Sequence, residues 1–595
     1  MSASKYAIVS VFNKRGVGNL SRLLLMNNYT ILSTGGTYKQ IKESIPEELH
    51  NRLVQVSDFT KFPEILGGRV KTLHPKIYGG LLARRDQDEH VEELRQMEIP
   101  PIDLVVCNLY PFHKTTEQSM EMNDALELID IGGVTLLRAA AKNWPHVTVL
   151  SDPEDYDLFQ IYTERDTQES DWRVFRRDMA GKAFDHTSEY DRMIRNYLYG
   201  TPVLSRTYFP QFEMKYGCNP HQTTSYVATI NGSESPIVIL NGTPGYINLL
   251  DALNSWQLVH EAGQIWGDGR PVVASFKHTS PAGVAIPGRK ENNEGSLVSS
   301  TFKRARSCDP MSSFGDFIAV NGIVDIDTAK VIKSEVSDGI IASSFSTSAI
   351  TILSQKKGGN YLILQVDPNY KPTNDLEIRE MFGVALSQTP NRAVVGRDVF
   401  TPDNIPTSNK MFPETAKDDL LLANITLKYA QSNNVVMAKD GQIIGVAAGQ
   451  QSRVDAVKLA GRKACTWWLR KHPKTLALNE LFKPGVKRQE KVNASIRYVE
   501  GDFTPIEKEG WNNLFTSVPD PLTDEEKQEF LKTLTGVSMA SDAFFPFRDN
   551  IDHASKFGVK YIIQPGGSVQ DKGVIEACDQ YDMAMVMSGS RMFTH

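Results

Sequence analysis

Over about the first 150 residues, short apolar runs alternate with stretches whose apolar residues return every three or four positions. Tyr6–Phe12 reads as a buried strand, and Val17–Asn27 carries Leu20, Leu23 and Leu24 at helical spacing. Tyr29–Thr34 is a second strand, followed at once by Gly35-Gly36 and another helical stretch, and Ile102–Leu109 and His146–Ser151 are further apolar strands. This alternation predicts a parallel sheet with helices on its faces. Such sheets bind ligands beyond the carboxyl ends of their strands. From Pro153 to Tyr199 the pattern becomes helical and charged, with Phe175, Met179, Ala183 and Phe184 expected on one face. The turn-rich stretch Gly200–Pro210 is the expected domain boundary. Beyond it, strand signals at Ile237–Leu240, Val272–Phe276, Phe317–Val320, Gln442–Ala447 and Tyr561–Gln564 alternate with helical segments. The second region is therefore α/β as well. It is too long for one compact unit, which predicts two subdomains dividing near 370–400.

Composition adds exclusions. The chain has 595 residues, 41% hydrophobic and 23% charged, with a formal net charge of -6. No global basic field advertises a nucleic acid, so anion recognition is expected in local pockets of a few Lys and Arg. Five cysteines lie far apart, with neither zinc nor redox spacing. No run approaches the ~20 apolar residues of a membrane span, and the N-terminus lacks a cleavable signal design. A reducing cytoplasmic setting is the expectation, with small-molecule substrates and no membrane partner.

Chemistry concentrates in a few motifs. Thr34-Gly35-Gly36-Thr37 joins a strand to a helix, so its backbone N–H groups can face an anion; taken alone, it also fits an ordinary turn. Gly67-Gly68-Arg69-Val70-Lys71-Thr72-Leu73-His74-Pro75 presents four polar groups between glycines and a proline, suited to a phosphate or a developing oxyanion. Asn108-Leu109-Tyr110-Pro111-Phe112 and Ile129-Asp130-Ile131-Gly132-Gly133-Val134, running on to Lys142, complete the set. Together these motifs resemble the inosinate cyclohydrolase domain, whose fold is like methylglyoxal synthase, over residues 1–200. The resemblance implies closure of a formylated aminoimidazole carboxamide nucleotide, with negative charge developing on the former formyl oxygen. It implies catalytic roles for Lys71, Tyr110, Asp130 and Lys142. Asn13, Lys14, Thr34, Gly35, Gly36, Thr37, Arg69, Thr72, Cys107, Asn108 and Gly132 would bind the substrate. No metal is implied.

In the second region, Ser275-Phe276-Lys277-His278-Thr279-Ser280-Pro281 closes an apolar strand. Neighbouring side chains on a strand point oppositely, so Lys277 and His278 can share a site only if the strand ends there. An exposed basic strand end is the bland alternative. Lys215-Tyr216-Gly217-Cys218-Asn219-Pro220-His221-Gln222, Met311–Phe317, Gln431–Asn434, Gly449–Arg453 and Ser541–Asp549 add further polar clusters, and the last could flank a flat heteroaromatic ring. Together they resemble the aminoimidazole carboxamide ribonucleotide transformylase domain over residues 201–595. That family has two subdomains with a fold like cytidine deaminase; the zinc signature of true deaminases is absent from the sequence. The resemblance implies 10-formyltetrahydrofolate as co-substrate, His278 as general base oriented by Asn433, and Lys277 acting at the folate side. Lys215, Tyr216, Asn248, Phe314, Gly315, Asp338 and Arg453 would hold the nucleotide. Val454, Phe544, Phe547, Asp549, Ser568, Val569 and Arg591 would line the folate pocket. Lys215 stands where the family usually has arginine and lacks its bidentate fork. A homodimer with transformylase sites at the interface is also implied. The alternative is a methylglyoxal-synthase-like lyase or regulatory nucleotide-binding module fused to a deaminase-fold enzyme.

Overall fold

The computed structural model describes residues 5–110, 112, 121–165, 167–200, 204–230, 233–288, 295–372 and 376–595. Pro111 of the tyrosine motif and part of the expected boundary stretch lie outside these residues. The chain forms two compact units, Met1–Ser205 and Arg206–His595.

Among the described residues, the first unit has five strands: β1 (Lys5–Val11), β2 (Tyr29–Ser33), β3 (Leu53–Gln55), β4 (Leu104–Asn108) and β5 (Thr148–Leu150). Their order is β3-β2-β1-β4-β5 and every pairing is parallel. Ala7, Val9 and Ile31 pack into one core and Ile8, Leu32 and Val105 into another, so both faces of the sheet are covered. The short β3 carries too few apolar residues to stand out in the sequence. The helix Glu169–Tyr199 buries Phe175 and Ala183, but Phe184 faces outward beneath the Arg138 guanidinium, 5.5 Å from its ring. Phe184 follows Ala183 directly, and adjacent positions on a helix diverge by about 100°.

Among the described residues, the second unit has fifteen strands. A hairpin, β6 (Tyr208–Glu213) and β7 (Tyr226–Ile230), precedes β8 (Ile237–Asn241), β9 (Val273–Lys277), β10 (Ser280–Ala285), β11 (Asp316–Val324), β12 (Ser337–Phe345) and β13 (Leu362–Val366). A second hairpin, β14 (Glu377–Met381) and β15 (Val384–Gln388), leads to β16 (Val435–Lys439), β17 (Gln442–Ala447), β18 (Val537–Ser541), β19 (Val559–Gln564) and β20 (Ala584–Met587). Eleven of them form one sheet, in the order β20-β19-β18-β16-β17-β10-β9-β11-β12-β13-β8.

That order contains one pattern twice. An antiparallel hairpin (β9–β10, then β16–β17) is followed by a strand antiparallel to its first member and by two more parallel strands. Helix–sheet contacts repeat too. A Cβ at Gly283 would come within 2.1 Å of the Ala305 carbonyl, and one at Gly445 within 2.2 Å of the Ala460 carbonyl. Glycine thus admits a covering helix close to β10 and close to β17. The strand ladder between the two halves carries a single residue pair, Ala285 with Gln442, next to which the Ile286 N–H donates to the Gly441 carbonyl at 2.9 Å. One core runs across this seam on one face, joining Leu258 and Val259 of the helix Tyr246–Trp266 to Leu420–Leu422 of the helix Glu414–Leu427. On the other face each half keeps its own core.

Candidate active sites

In the first unit, the loops after β1, β2 and β4 meet at the carboxyl edge of the sheet. Asn108 Oδ1 accepts from the N–H groups of Phe12 and Asn13, each at 2.8 Å, and its Nδ2 donates to the Asn13 carbonyl at 3.1 Å. Thr37 Oγ1 donates to the Val11 carbonyl at 3.0 Å. These side chains hold the turn that presents Lys14. The helix Gly35–Ser44 opens beside it. An added Cβ at Gly36 would stand 3.3 Å from Lys14 Nζ, and one at Gly35 3.8 Å from Lys71 Nζ. Two ammonium groups therefore sit against the unpaired N–H groups of a helix N-terminus, a seat for phosphate or an oxyanion.

A strained loop delivers Lys71. Leu66, Gly67 and Gly68 have φ of 54°, 65° and 92°, a conformation a leucine adopts only when its surroundings impose it. A Cβ on Gly68 would lie 2.8 Å from Lys71 Cε, so glycine leaves room for the lysine stem. Glu64 Oε2 is 3.4 Å from Lys71 Nζ. Across the site, Asp130 Oδ1 accepts the Gly133 N–H at 2.7 Å. Burial raises the Asp130 pKa against the pull of the Gly133 and Gly132 N–H groups. Thr72 Oγ1 lies against Gly132, and half-exposed Tyr110 packs on Phe12 at 4.6 Å between ring centres.

In the second unit, strand β9 ends at Lys277 and β10 begins at Ser280. His278 and Thr279 form the two-residue turn between them with φ of 54° and 56°. Two successive positive φ values make this a type I′ turn, a geometry that favours Asn-Gly or Asp-Gly. The conformation is held from outside: Asp251, on the helix Tyr246–Trp266, accepts the Thr279 N–H at 2.6 Å. Burial raises the Asp251 pKa, while the Thr279 N–H and the His278 charge favour its anion. Lys277 Nζ donates to the Phe314 carbonyl at 2.6 Å. Below Phe314, Asp316 accepts from Ser275 Oγ (2.6 Å) and Arg306 Nη1 (2.5 Å), and burial pushes its pKa up to about 6.

The registers place the second half's polar groups at this same edge of the sheet. β10 and β17 run antiparallel from the pair Ala285–Gln442, so Ser280 lies towards the end of β17 at Ala447. That end of β17 pairs with the start of β16, which in turn pairs with the end of β18: Ala447 with Val435 and Val435 with Ser541. Asn433, Gln450, Arg453 and Asp542 gather there. Arg453 is buried, forms an ion pair with the fully buried Asp542, and donates to Asn433 Oδ1 (2.6 Å), the Asn434 carbonyl (3.1 Å) and Ser541 Oγ (3.2 Å). Phe544, Phe547 and Val569 are exposed, whereas Phe545 is core.

Comparison with known proteins agrees with this geometry. A family described as the AICARFT/IMPCHase bienzyme matches residues 140–463, and an MGS-like domain matches residues 16–135. The bifunctional purine biosynthesis protein PurH of Clostridium acetobutylicum is 33% identical over 99% of this chain and 100% of its own. Its namesake in Fusobacterium nucleatum subsp. nucleatum is 34% identical over the same shares, and that of Persephonella marina 33% identical over 99% of each. The chain belongs to the AICARFT/IMPCHase bienzyme family. It is a bifunctional formyltransferase and cyclohydrolase of inosinate synthesis, acting on small molecules. A solved structure, ForH, is 32% identical over 33% of this chain and all of its own, with a TM-score of 0.29.

Several expected site residues of the bienzyme stand elsewhere. Cys107 is buried beneath the helix Gly132–Lys142, its thiol directed at the Gly133 carbonyl 3.8 Å away, and burial drives its pKa far up. Lys142 is exposed at the far end of that helix, about 15 Å along its axis from Gly132 at 1.5 Å per residue. Lys71 and Lys142 are thus not brought together at one backbone locus. Arg69 is exposed and paired with Glu127. Asn433 meets Arg453 and the Gln451 carbonyl (3.3 Å) instead of His278. The Arg453 guanidinium is filled by internal partners and supports the site from below. Asn248 Oδ1 caps its own helix through the Gly245 N–H at 3.1 Å, and Asp338 is paired with Lys357 at 2.6 Å.

The remaining expected residues lie on loops and helix starts of the second unit. Lys215 is exposed, 5.9 Å from the Tyr216 ring centre; Gly315 has φ 76°; Val454 follows Arg453 in its helix. Asp549 opens a short helix, the Ser568 N–H donates to Asp571 at 3.0 Å, and Arg591 lies over Phe593 at 4.6 Å. Sequence reasoning missed Asp251 and Glu64, and named Asp542 only within the Ser541–Asp549 cluster. Asp542 left one signal, a buried-strand end beside Phe544. Asp251 left none, because its partner turn lies 28 residues away.

Proposed function

We propose that the first unit closes the ring and the second transfers the formyl group, with 10-formyltetrahydrofolate as donor. For transfer, the amine of aminoimidazole carboxamide ribonucleotide attacks the formyl carbon, His278 takes the amine proton, and Lys277 protonates the departing folate nitrogen. The observation that carries this reading is the Lys277–Thr279 turn, two strained residues clamped by Asp251 at an open edge. Phe544, Phe547 and Val569 flank the folate side, and Tyr216 and Phe314 the nucleotide. For closure, the carboxamide nitrogen attacks the formyl carbon and water leaves. Lys14 and the Gly35 helix take the phosphate, Lys71 steadies the developing oxyanion, and Asp130 moves the proton.

A homodimer fits the exposed apolar hairpin β14–β15, where Met381, Phe382, Val384 and Leu386 all face outward. Among the described residues no helix is long and apolar enough to cross a membrane and no His, Cys, Asp and Glu group could hold a metal. The five cysteines are unpaired, which supports a reducing cytoplasm.

The test separates the two lysines of the first unit. Lys71→Ala is expected to slow cyclisation of supplied formylated nucleotide by about 10²–10³, with tetrahydrofolate release unchanged. Lys142→Ala is expected to cost less, because its backbone lies away from Asp130. Equal loss of both activities in folded Lys71→Ala would overturn the division of labour.

A further inference from the structure

The second unit carries a cavity of 1460 Å³ on the sheet face where the two cores stay apart. Its floor is the turn Lys439–Gln442. One wall is the helix Leu297–Arg306, and the other is the end of the helix Arg453–Leu469 together with a helical insertion. That insertion, from Pro473 to Leu531, separates β17 from β18 and has its own small core of Leu478, Tyr498, Trp511 and Phe515. The corresponding connection in the first half, from β10 to β11, has a single helix among the described residues. None of Lys277, His278, Asn433, Arg453 or Phe544 lines the cavity. Its floor stands at the opposite end of β10 from the His278 turn, about 17 Å away for a six-residue strand.

The lining is strongly cationic, with nine Lys and Arg side chains against four carboxylates, in a chain whose net charge is -6. Arg270, Arg306 and Arg488 are neutralised by Asp268, Asp316 and Glu335. Lys303, Lys439, Arg470, Lys471 and Lys491 form no ion pair among the described residues. Lys471 shows the crowding. Its ammonium lies 3.6 Å from the Trp467 ring centre, and desolvation, with Arg304, Arg470 and Lys439 adding repulsion against the pull of Asp440, lowers its pKa to about 8. Converging like charges raise each other's free energy until an anion enters. Two of the five, Lys471 and Lys491, are braced on aromatic rings, which fixes their direction.

We propose that this cavity is a second anion site, built for the oligophosphate of a nucleoside triphosphate or for free inorganic oligophosphate. The shared chemistry is a run of adjacent phosphates long enough to bridge Lys303 on one wall and Lys471 and Lys491 on the other.

Calorimetric titration of the full-length protein with inorganic tripolyphosphate, and separately with ATP, tests this. Tripolyphosphate binding is expected to weaken about tenfold for each cation removed in Lys303→Gln and Lys491→Gln. Lys333→Gln, an exposed lysine outside the cavity, should leave binding unchanged. Bound tripolyphosphate should also shield Lys471 from acylation at pH 8, read by peptide mass. Tighter binding of ATP than of tripolyphosphate would assign the ligand as a nucleotide; equal binding would assign it as bare oligophosphate. Formyl transfer without added anion should be the same in all three variants. No binding at millimolar anion, equal weakening by Lys333→Gln, or unprotected Lys471 would each overturn the proposal.

Discussion

The turn at His278-Thr279 and the turn at Asp440-Gly441 occupy the same place in the two halves of one sheet. Each joins an antiparallel pair after a lysine, Lys277 or Lys439, and each has two successive positive φ values. Each is also held by an aspartate from the preceding helix. Asp251 accepts from Thr279, and Asp419 accepts from the N–H groups of Asp440 (2.9 Å) and Gly441 (2.6 Å). The difference lies in the turn residues. Asp-Gly suits this geometry without cost, whereas His-Thr places a β-branched residue where left-handed backbone costs about 1–2 kcal/mol per residue. The scaffold built the same clamp twice. Only the half with His278-Thr279 holds its turn against local preference.

Exchanging the turns should produce the largest effect. Replacing His278-Thr279 with Asp-Gly is expected to lower formyl transfer by at least ~10²–10⁴, the usual worth of an acid–base group, while raising the melting temperature and sparing cyclisation. Tetrahydrofolate release and a thermal scan on one preparation check this. Near-normal release would return Lys277-His278 to an exposed basic strand end.

A smaller effect separates the two clamps. Asp251→Ala should reduce kcat for formyl transfer by up to about 10², since a shift of ~1 Å at the reacting group costs that much. Asp419→Ala should instead lower stability by about 1–3 kcal/mol through two unpaired N–H groups, with kcat kept. Kinetics and denaturant melts of both variants decide. If the two behave alike, the contrast between working turn and supporting turn fails.

The smallest effect is one of pH. Burial pushes Asp419 up to about 7, with the Gly441 and Asp440 N–H groups opposing. The folded state therefore keeps this proton longer than the unfolded chain, whose aspartates titrate near ~3.9. The associated stability is full below that value and is lost as pH rises through about 7. Asp419→Asn should accordingly gain on the wild type between pH 5 and pH 8 in paired melting curves. A constant gap would remove Asp419 as the titrating group.

What the sequence disclosed followed the range of each interaction. The strands β1, β2, β4 and β17 were readable as local apolar runs, and Lys71, Asp130 and Lys277-His278 as dense polar motifs. The repeat was not readable. Its halves share strand order and glycine placement, not a short period, and the insertion after β17 breaks the spacing. Asp251 was hidden because a clamp is defined by a backbone N–H in another element. Arg453 was legible as functional but not as buried, because only the fold supplies Asp542. Resemblance brought Cys107 into the site, yet β4 turns its thiol towards the covering helix.

The single-pair seam between Ala285 and Gln442 has a thermal consequence. Beside that pair the Ile286 N–H donates to the Gly441 carbonyl at 2.9 Å, and Lys428–Glu261 and Lys463–Asp309 cross between the halves as ion pairs. The rest of the join on one face is apolar contact between the helices Tyr246–Trp266 and Glu414–Leu427. Apolar attraction fades on cooling, whereas the ladders inside each half are less affected. The apolar share of the join is therefore the part that chilling weakens. On the proposed roles, formyl transfer draws on His278 from one half and the Asn433–Asp542 edge from the other, so in a solution held near freezing it should decline before ring closure does.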